Sequence, residues 1–156
     1  MATLKVRIQE DILLDNQDYG SKRVFEISSI ANITKKMVSI ASDDDATVLV
    51  FKSTTATSDS ALDLQNVKYI RITNLDSSNS VNVSLQLDSG EDNSAADLSI
   101  THLLEAGRSF LMGAPDEAAH ADDDAASIIT SLTDLESIIV DPGSNSGQVE
   151  VFVAST

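Results

Sequence analysis

Val81-Asn82-Val83-Ser84-Leu85-Gln86-Leu87-Asp88 alternates strictly between aliphatic and polar side chains. Successive side chains of a β-strand point to opposite faces, so this stretch buries four aliphatics and shows water four polar groups. Leu4, Val6 and Ile8 alternate with Lys5, Arg7 and Gln9 in the same way, and Val149, Val151 and Val153 form a third row near the C-terminus. Residues 22–28, 36–41, 47–52, 67–74, 100–104, 109–112 and 136–140 are further expected strands, rich in Val, Ile, Thr and Phe. Turn chemistry separates them. Asp76-Ser77-Ser78-Asn79-Ser80 and the run from Asp141 to Gly147 carry short polar side chains that bond nearby backbone. Glu105-Ala106-Gly107-Arg108 reads as a tight connection, with Gly107 free to take positive φ.

About nine to ten short strands with turns between them predict an all-β fold, an antiparallel β-sandwich or jelly roll with little helix. One domain over residues 1–156 is expected, with a flexible acidic loop at 113–126. Two helical options stay open. Leu132, Leu135, Ile138 and Ile139 recur at helical spacing within residues 131–139, although Ile138-Ile139-Val140 has strand character; residues 61–65 allow a single turn.

Apolar residues make up 42% of the chain, enough for a core, and no run approaches the roughly 18 apolar residues of a membrane helix. The first eight residues alternate charge with apolarity, so no ordinary secretion signal is expected. Ten basic against 25 acidic residues give a net charge of −15, which disfavours nucleic acid and anionic membranes as partners. The charge is uneven: nine of the basic residues lie in residues 1–75, and residues 109–156 have none. Cysteine is absent, so disulfide scaffolds and thiolate chemistry are excluded.

Catalytic equipment is sparse. No Gly-x-Ser-x-Gly elbow occurs, and His102 and His120 read as a surface or core-edge residue of a strand and a solvated loop residue. Carboxylate pairs of glycosidase type arise by chance among 25 acids, and aromatic content of 4% offers few sugar platforms. Asp43-Asp44-Asp45, Asp122-Asp123-Asp124 and the acidic stretch from Asp88 to Asp92 supply hard oxygens of the kind calcium takes, but none has EF-hand spacing. Solvated acidic turns are the expected reading, with a weak, adventitious calcium site as the alternative, and neither a dedicated metal site nor a cofactor is expected. Asn32-Ile33-Thr34 and Asn82-Val83-Ser84 match the glycosylation sequon, as chance allows in a Ser/Thr-rich chain.

Residues 67–87, Val-Lys-Tyr-Ile-Arg-Ile-Thr-Asn-Leu-Asp-Ser-Ser-Asn-Ser-Val-Asn-Val-Ser-Leu-Gln-Leu, resemble hairpins of small β-sandwich structural proteins of tailed bacteriophages. There, a strand ending in an Ile-Thr-Asn-Leu-Asp phrase turns through Ser and Asn into an alternating strand. Residues 104–111, 135–140 and 147–154 fit the same pattern. The resemblance implies a non-enzymatic virion protein, foremost a decoration (cement) protein on the capsid exterior, present in the host cytoplasm during assembly. Its implied partners are the major capsid protein and further copies of itself in a homo-oligomer. The alternative is a receptor- or carbohydrate-binding module of a tail or baseplate. For docking on a shell, the mixed-charge N-terminal region offers Lys5, Arg7, Lys22, Arg23, Lys35 and Lys36 to acidic shell loops.

Overall fold

The computed structural model describes residues 1–52, 61–88, 98–120 and 132–156. Among these residues there is no helix, so none is long and apolar enough to cross a membrane. The strands are β1 (Ala2–Glu10), β2 (Leu13–Leu14), β3 (Gln17–Asp18), β4 (Ser21–Ile30), β5 (Asn32–Ile40), β6 (Ala46–Lys52), β7 (Leu62–Asp63), β8 (Val67–Asn74), β9 (Val81–Asp88), β10 (Leu98–Leu104), β11 (Ser109–Met112), β12 (Asp134–Asp141) and β13 (Gly147–Ser155). Ten of them have four residues or more, as the alternation predicts.

Two sheets form a sandwich. One runs β10-β9-β12-β6-β7 and the other β11-β8-β13-β5; all pairings are antiparallel except the short β6–β7 contact. The inward rows meet face to face: Val81, Val83, Leu85 and Leu87 of β9 with Leu135, Ile138 and Val140 of β12, against Ile70 and Ile72 of β8 and Val149, Val151 and Val153 of β13. Each such aliphatic contributes about 1.5–3 kcal/mol on burial. The alternation in β9 therefore fixes its register, because a one-residue slip would send the whole row into water.

Residues 132–139, the described part of the segment with helical spacing, form no helix: strand β12 begins at Asp134, and the three-residue spacing of Leu135 and Ile138 comes from a β-bulge. The register against β9 shifts between Leu135 and Ser137, so Leu135 and Ile138 both face the core although three residues apart. Near residues 61–65 the chain forms β7 and then a turn, in which the Leu64 amide donates to Lys52 O at 3.1 Å and Asn66 to Asp63 O at 3.1 Å. Gly107 takes φ +69 in the turn between β10 and β11, as expected.

Asn74 is the one buried polar residue among those described. Its Nδ2 donates to the carbonyls of Asn79 (2.8 Å) and Leu104 (3.1 Å), its Oδ1 accepts from the Asp76 amide (3.0 Å), and its own amide donates to Arg108 O (2.9 Å). One side chain thus joins the β8–β9 turn to the end of β10, satisfying groups that burial would otherwise leave costly. Asp76 continues the network by accepting from the Ser78 and Asn79 amides, which hold its carboxyl below the usual range.

Of the segment expected as a flexible loop, residues 113–120 are tied to the start of β12. Leu135 donates to Pro115 O at 3.0 Å, Glu117 N to Asp134 Oδ1 at 2.9 Å, and Ala119 bridges Thr133. Residues 121–126 lie outside the described part.

Val83 is 0% exposed and sits between β10 and β12. Val83→Asp is expected to lower stability by about 4 kcal/mol or more, the scale of an unpaired charge forced into a core. A urea unfolding curve with an unchanged midpoint would contradict the register.

Candidate docking face

β1 and β4 pair only with each other, outside both sheets of the sandwich, and β2 and β3 extend the same hairpin. Residues 1–30 therefore form an arm. Its tip turns through Asp15 (φ 50) and Asn16 (φ 62), the two left-handed residues of a tight hairpin turn. The Tyr19 amide donates to Ile12 O at 3.0 Å and the Gly20 amide to Asp18 Oδ1 at 2.8 Å, closing the tip on itself. At the root, Ser29 takes φ 63 and the Ala31 amide donates to Ser155 O at 2.9 Å, so β4 swings directly into β5.

The register divides the arm into two faces. Leu4–Ile27, Val6–Phe25 and Ile8–Arg23 share one face, while Lys5–Glu26, Arg7–Val24 and Gln9–Lys22 share the other. The first face seats the arm: Leu4, Val6 and Ile27 pack with Ile30 on Tyr69, Phe152 and Ala154 of the outer surface of the β11-β8-β13-β5 sheet. Tyr69 and Phe152 meet edge-on with centroids 6.1 Å apart, and Arg71 stacks 5.6 Å from the Phe152 centroid. Burial raises the Tyr69 phenol pKa, against the opposing pull of Arg71. Farther out, coverage fails; Ile8, Phe25, Ile12, Leu13, Leu14 and Tyr19 are all exposed.

Between β1 and the sheet runs a groove of about 430 Å³, bordered by Lys5, Arg7, Lys35, Arg71, Ser109 and Leu111 among others. Two of the lining cations are paired: Lys35 with Glu150 (3.0 Å) and Arg71 with the same carboxylate. The Lys35 hydrogen bond, aided by both positive charges, holds the Glu150 carboxyl below the usual range despite some desolvation. Lys5 pairs with Glu26 at 2.7 Å, an exposed contact of small energetic weight.

Lys5, Arg7, Lys22 and Arg23 come together on the arm, whereas Lys35 and Lys36 lie on β5. Lys5, Arg7 and Lys22 share the outward face, and Arg23 falls on the other beside Ile8. Lys35 is committed to Glu150. Lys36 stands opposite core-facing Val151, at an inward register position of an open edge strand, yet is exposed. Sequence reasoning passed over Lys68 and Arg71 of β8. Together, strands β1, β4, β5 and β8 hold eight of the chain's ten cations and only two carboxylates, Glu10 and Glu26.

Asp43, Asp44, Asp45 and Asp141 line a shallow polar depression. Two of these carboxylates serve the turns: Asp44 Oδ1 accepts from the Asp45 amide at 2.9 Å and Asp141 Oδ1 from Gly143 at 2.6 Å. Among the described residues no group of three or more His, Cys, Asp or Glu side chains could hold a metal ion. Asp122-Asp123-Asp124 and most of the acidic stretch from Asp88 to Asp92 lie outside the described residues. His102, exposed on β10, lies tilted on Phe110 with centroids 5.4 Å apart.

No protein-family model and no curated protein matches this chain. A solved chain from the disulfide-linked pili of Bacillus endospore appendages is similar over 83% of this chain and 96% of its own, at 12% identity and a TM-score of 0.38. A likeness of that size carries no argument about fold or function.

Tyr69→Ala is expected to loosen the arm alone, because Tyr69 is the seat of its apolar base. Amide exchange in β1 and β4 should quicken by roughly tenfold or more while β9 and β12 stay protected. Uniform exchange changes, or none, would refute that division. Glu150 has its pKa depressed in the folded state, so its stabilisation is full above the ordinary value of 4.5 and is lost as pH falls through the folded value. The stability advantage of wild type over Glu150→Gln should accordingly be present at neutral pH and vanish in acid, as followed by thermal unfolding across pH.

Proposed function

We propose that this chain is a non-enzymatic structural protein of a tailed-phage virion, a decoration protein that docks on the outer surface of the major capsid protein and stabilises the shell. The observation that carries the reading is the charge layering. Eight of ten cations lie on the arm and the sheet strands around its root, in a chain of net charge −15. A strongly acidic molecule with one cation-bearing layer has a built-in direction for meeting an acidic surface. The rest of the molecule then faces solvent, where net charge keeps particles apart.

The outward arm face supplies the contact, with Arg7 and Lys22 as its cations unpaired among the described residues. The aromatic pair Tyr69–Phe152 is engaged under the arm, and Tyr69 is 7% exposed. It serves the arm's seat here and is not offered as a flat platform for sugar.

Arg7→Glu combined with Lys22→Glu is expected to weaken binding to empty shells by about tenfold or more, with an unchanged circular dichroism spectrum. Wild-type protein should co-purify with virions in near-stoichiometric ratio to the capsid subunit. Absence from purified virions, or capture by a glycan array in place of shells, would overturn the reading.

A further inference from the structure

The geometry points to a second copy of this chain as the occupant of the arm tip, with edge strand β5 as its receptor. Ile12, Leu13, Leu14 and Tyr19 stand 54%, 71%, 57% and 60% exposed. Around them the tip carries only negative charge, from Glu10, Asp11, Asp15 and Asp18. An isolated two-stranded hairpin is marginal in water, and this tip extends beyond the packed base of the arm. It therefore gains from a cover that is apolar and basic together.

The body offers such a surface on β5. Ile33, Lys35 and Met37 share the outer face of β5, with Ile33 and Met37 52% and 68% exposed, and Lys36 belongs to the other face but is exposed at the sheet edge. No other strand of the sandwich has two adjacent cations flanked by exposed aliphatic side chains among the described residues. Laid along the edge, the apolar tip meets Ile33 and Met37 and its carboxylates meet Lys36, since Lys35 already pairs with Glu150. β5 is also the open edge of its sheet. Lys36, at its inward register position, discourages strand addition there, so the contact is made by side chains.

Tip and receptor are different patches of one chain, so the contact is heterologous and builds a ring or a filament. It is independent of the capsid reading, since it concerns copies of this chain alone, whereas the outward arm face of Arg7 and Lys22 is left free for another partner.

Sedimentation velocity on the full chain over a concentration series tests the proposal with two double variants, Leu13→Asp/Leu14→Asp at the tip and Lys36→Glu/Met37→Glu at the edge. Wild type should sediment as a multimer that grows with concentration, and each variant alone should associate at least about tenfold more weakly. Mixed in equal amounts, the variants should form a dimer that grows no further. The tip variant still supplies an intact β5 and the edge variant an intact tip. Asp15→Lys/Asp18→Lys provides a second tip variant that alters charge alone, and circular dichroism checks that each variant folds. A wild type that remains monomeric throughout, including one that binds only shells, overturns the proposal. So does an assembling wild type whose two variants fail to complement.

Discussion

Tyr69, Phe152 and Ala154 form the seat on which the arm rests, and the placement of the arm's cations depends on that contact. A sheet with one wet face buries every second residue. At this end of the β11-β8-β13-β5 sheet the rule is broken: Tyr69 and Ile70 are adjacent and both buried, as are Val153 and Ala154. The second set is covered because Leu4, Val6 and Ile27 lie on it. That apolar seat fixes where β1 runs, which in turn shapes the groove along Arg71 and Leu111 and turns Lys5, Arg7 and Lys22 outward. Cations on an unseated hairpin would sample many directions and could not define a face.

The sandwich was largely legible because its core rows follow strict alternation. Val81 to Leu87 and Val149 to Val153 identify their faces without tertiary information. The bulge in β12 was not, since one inserted residue converts a period of two into a spacing of three, which a linear pattern cannot tell from a helix. Nor did residues 1–30 announce an arm. Leu4, Val6 and Ile8 alternate just as core strands do, and only pairing reveals that β1 and β4 belong to neither main sheet. The sequence pattern marks β5 only from Lys36, because Asn32 to Lys35 are half polar; they pair along β13 at an open edge, where half-polar strands are tolerated.

Of the six cations singled out in the sequence, four converge on the arm and two sit on β5, a separation that charge counting alone could not make. Arg71 escaped notice because it reads as one polar residue in an alternating strand. Its importance is spatial: it lies beside the Phe152 ring, pairs with Glu150 and borders the groove. The arm thus presents two chemistries on opposite faces, one basic and one apolar. Alternation along a strand is what permits a single hairpin to address two different surfaces at once.

Among the described residues, the cations cluster on β1, β4, β5 and β8, so this part of the fold differs in charge from the chain as a whole, of net −15. Near a charged surface, within a Debye length of about 8 Å at physiological ionic strength, an uneven charge distribution feels a torque as well as a force. An acidic partner surface, as proposed, would turn the cation-bearing strands β1, β4, β5 and β8 toward itself before any side chain touched it. Orientation is the step that usually slows the docking of specific patches. Added salt screens that torque together with the repulsion between an acidic surface and a chain of net charge −15, while short-range apolar packing depends on salt far less.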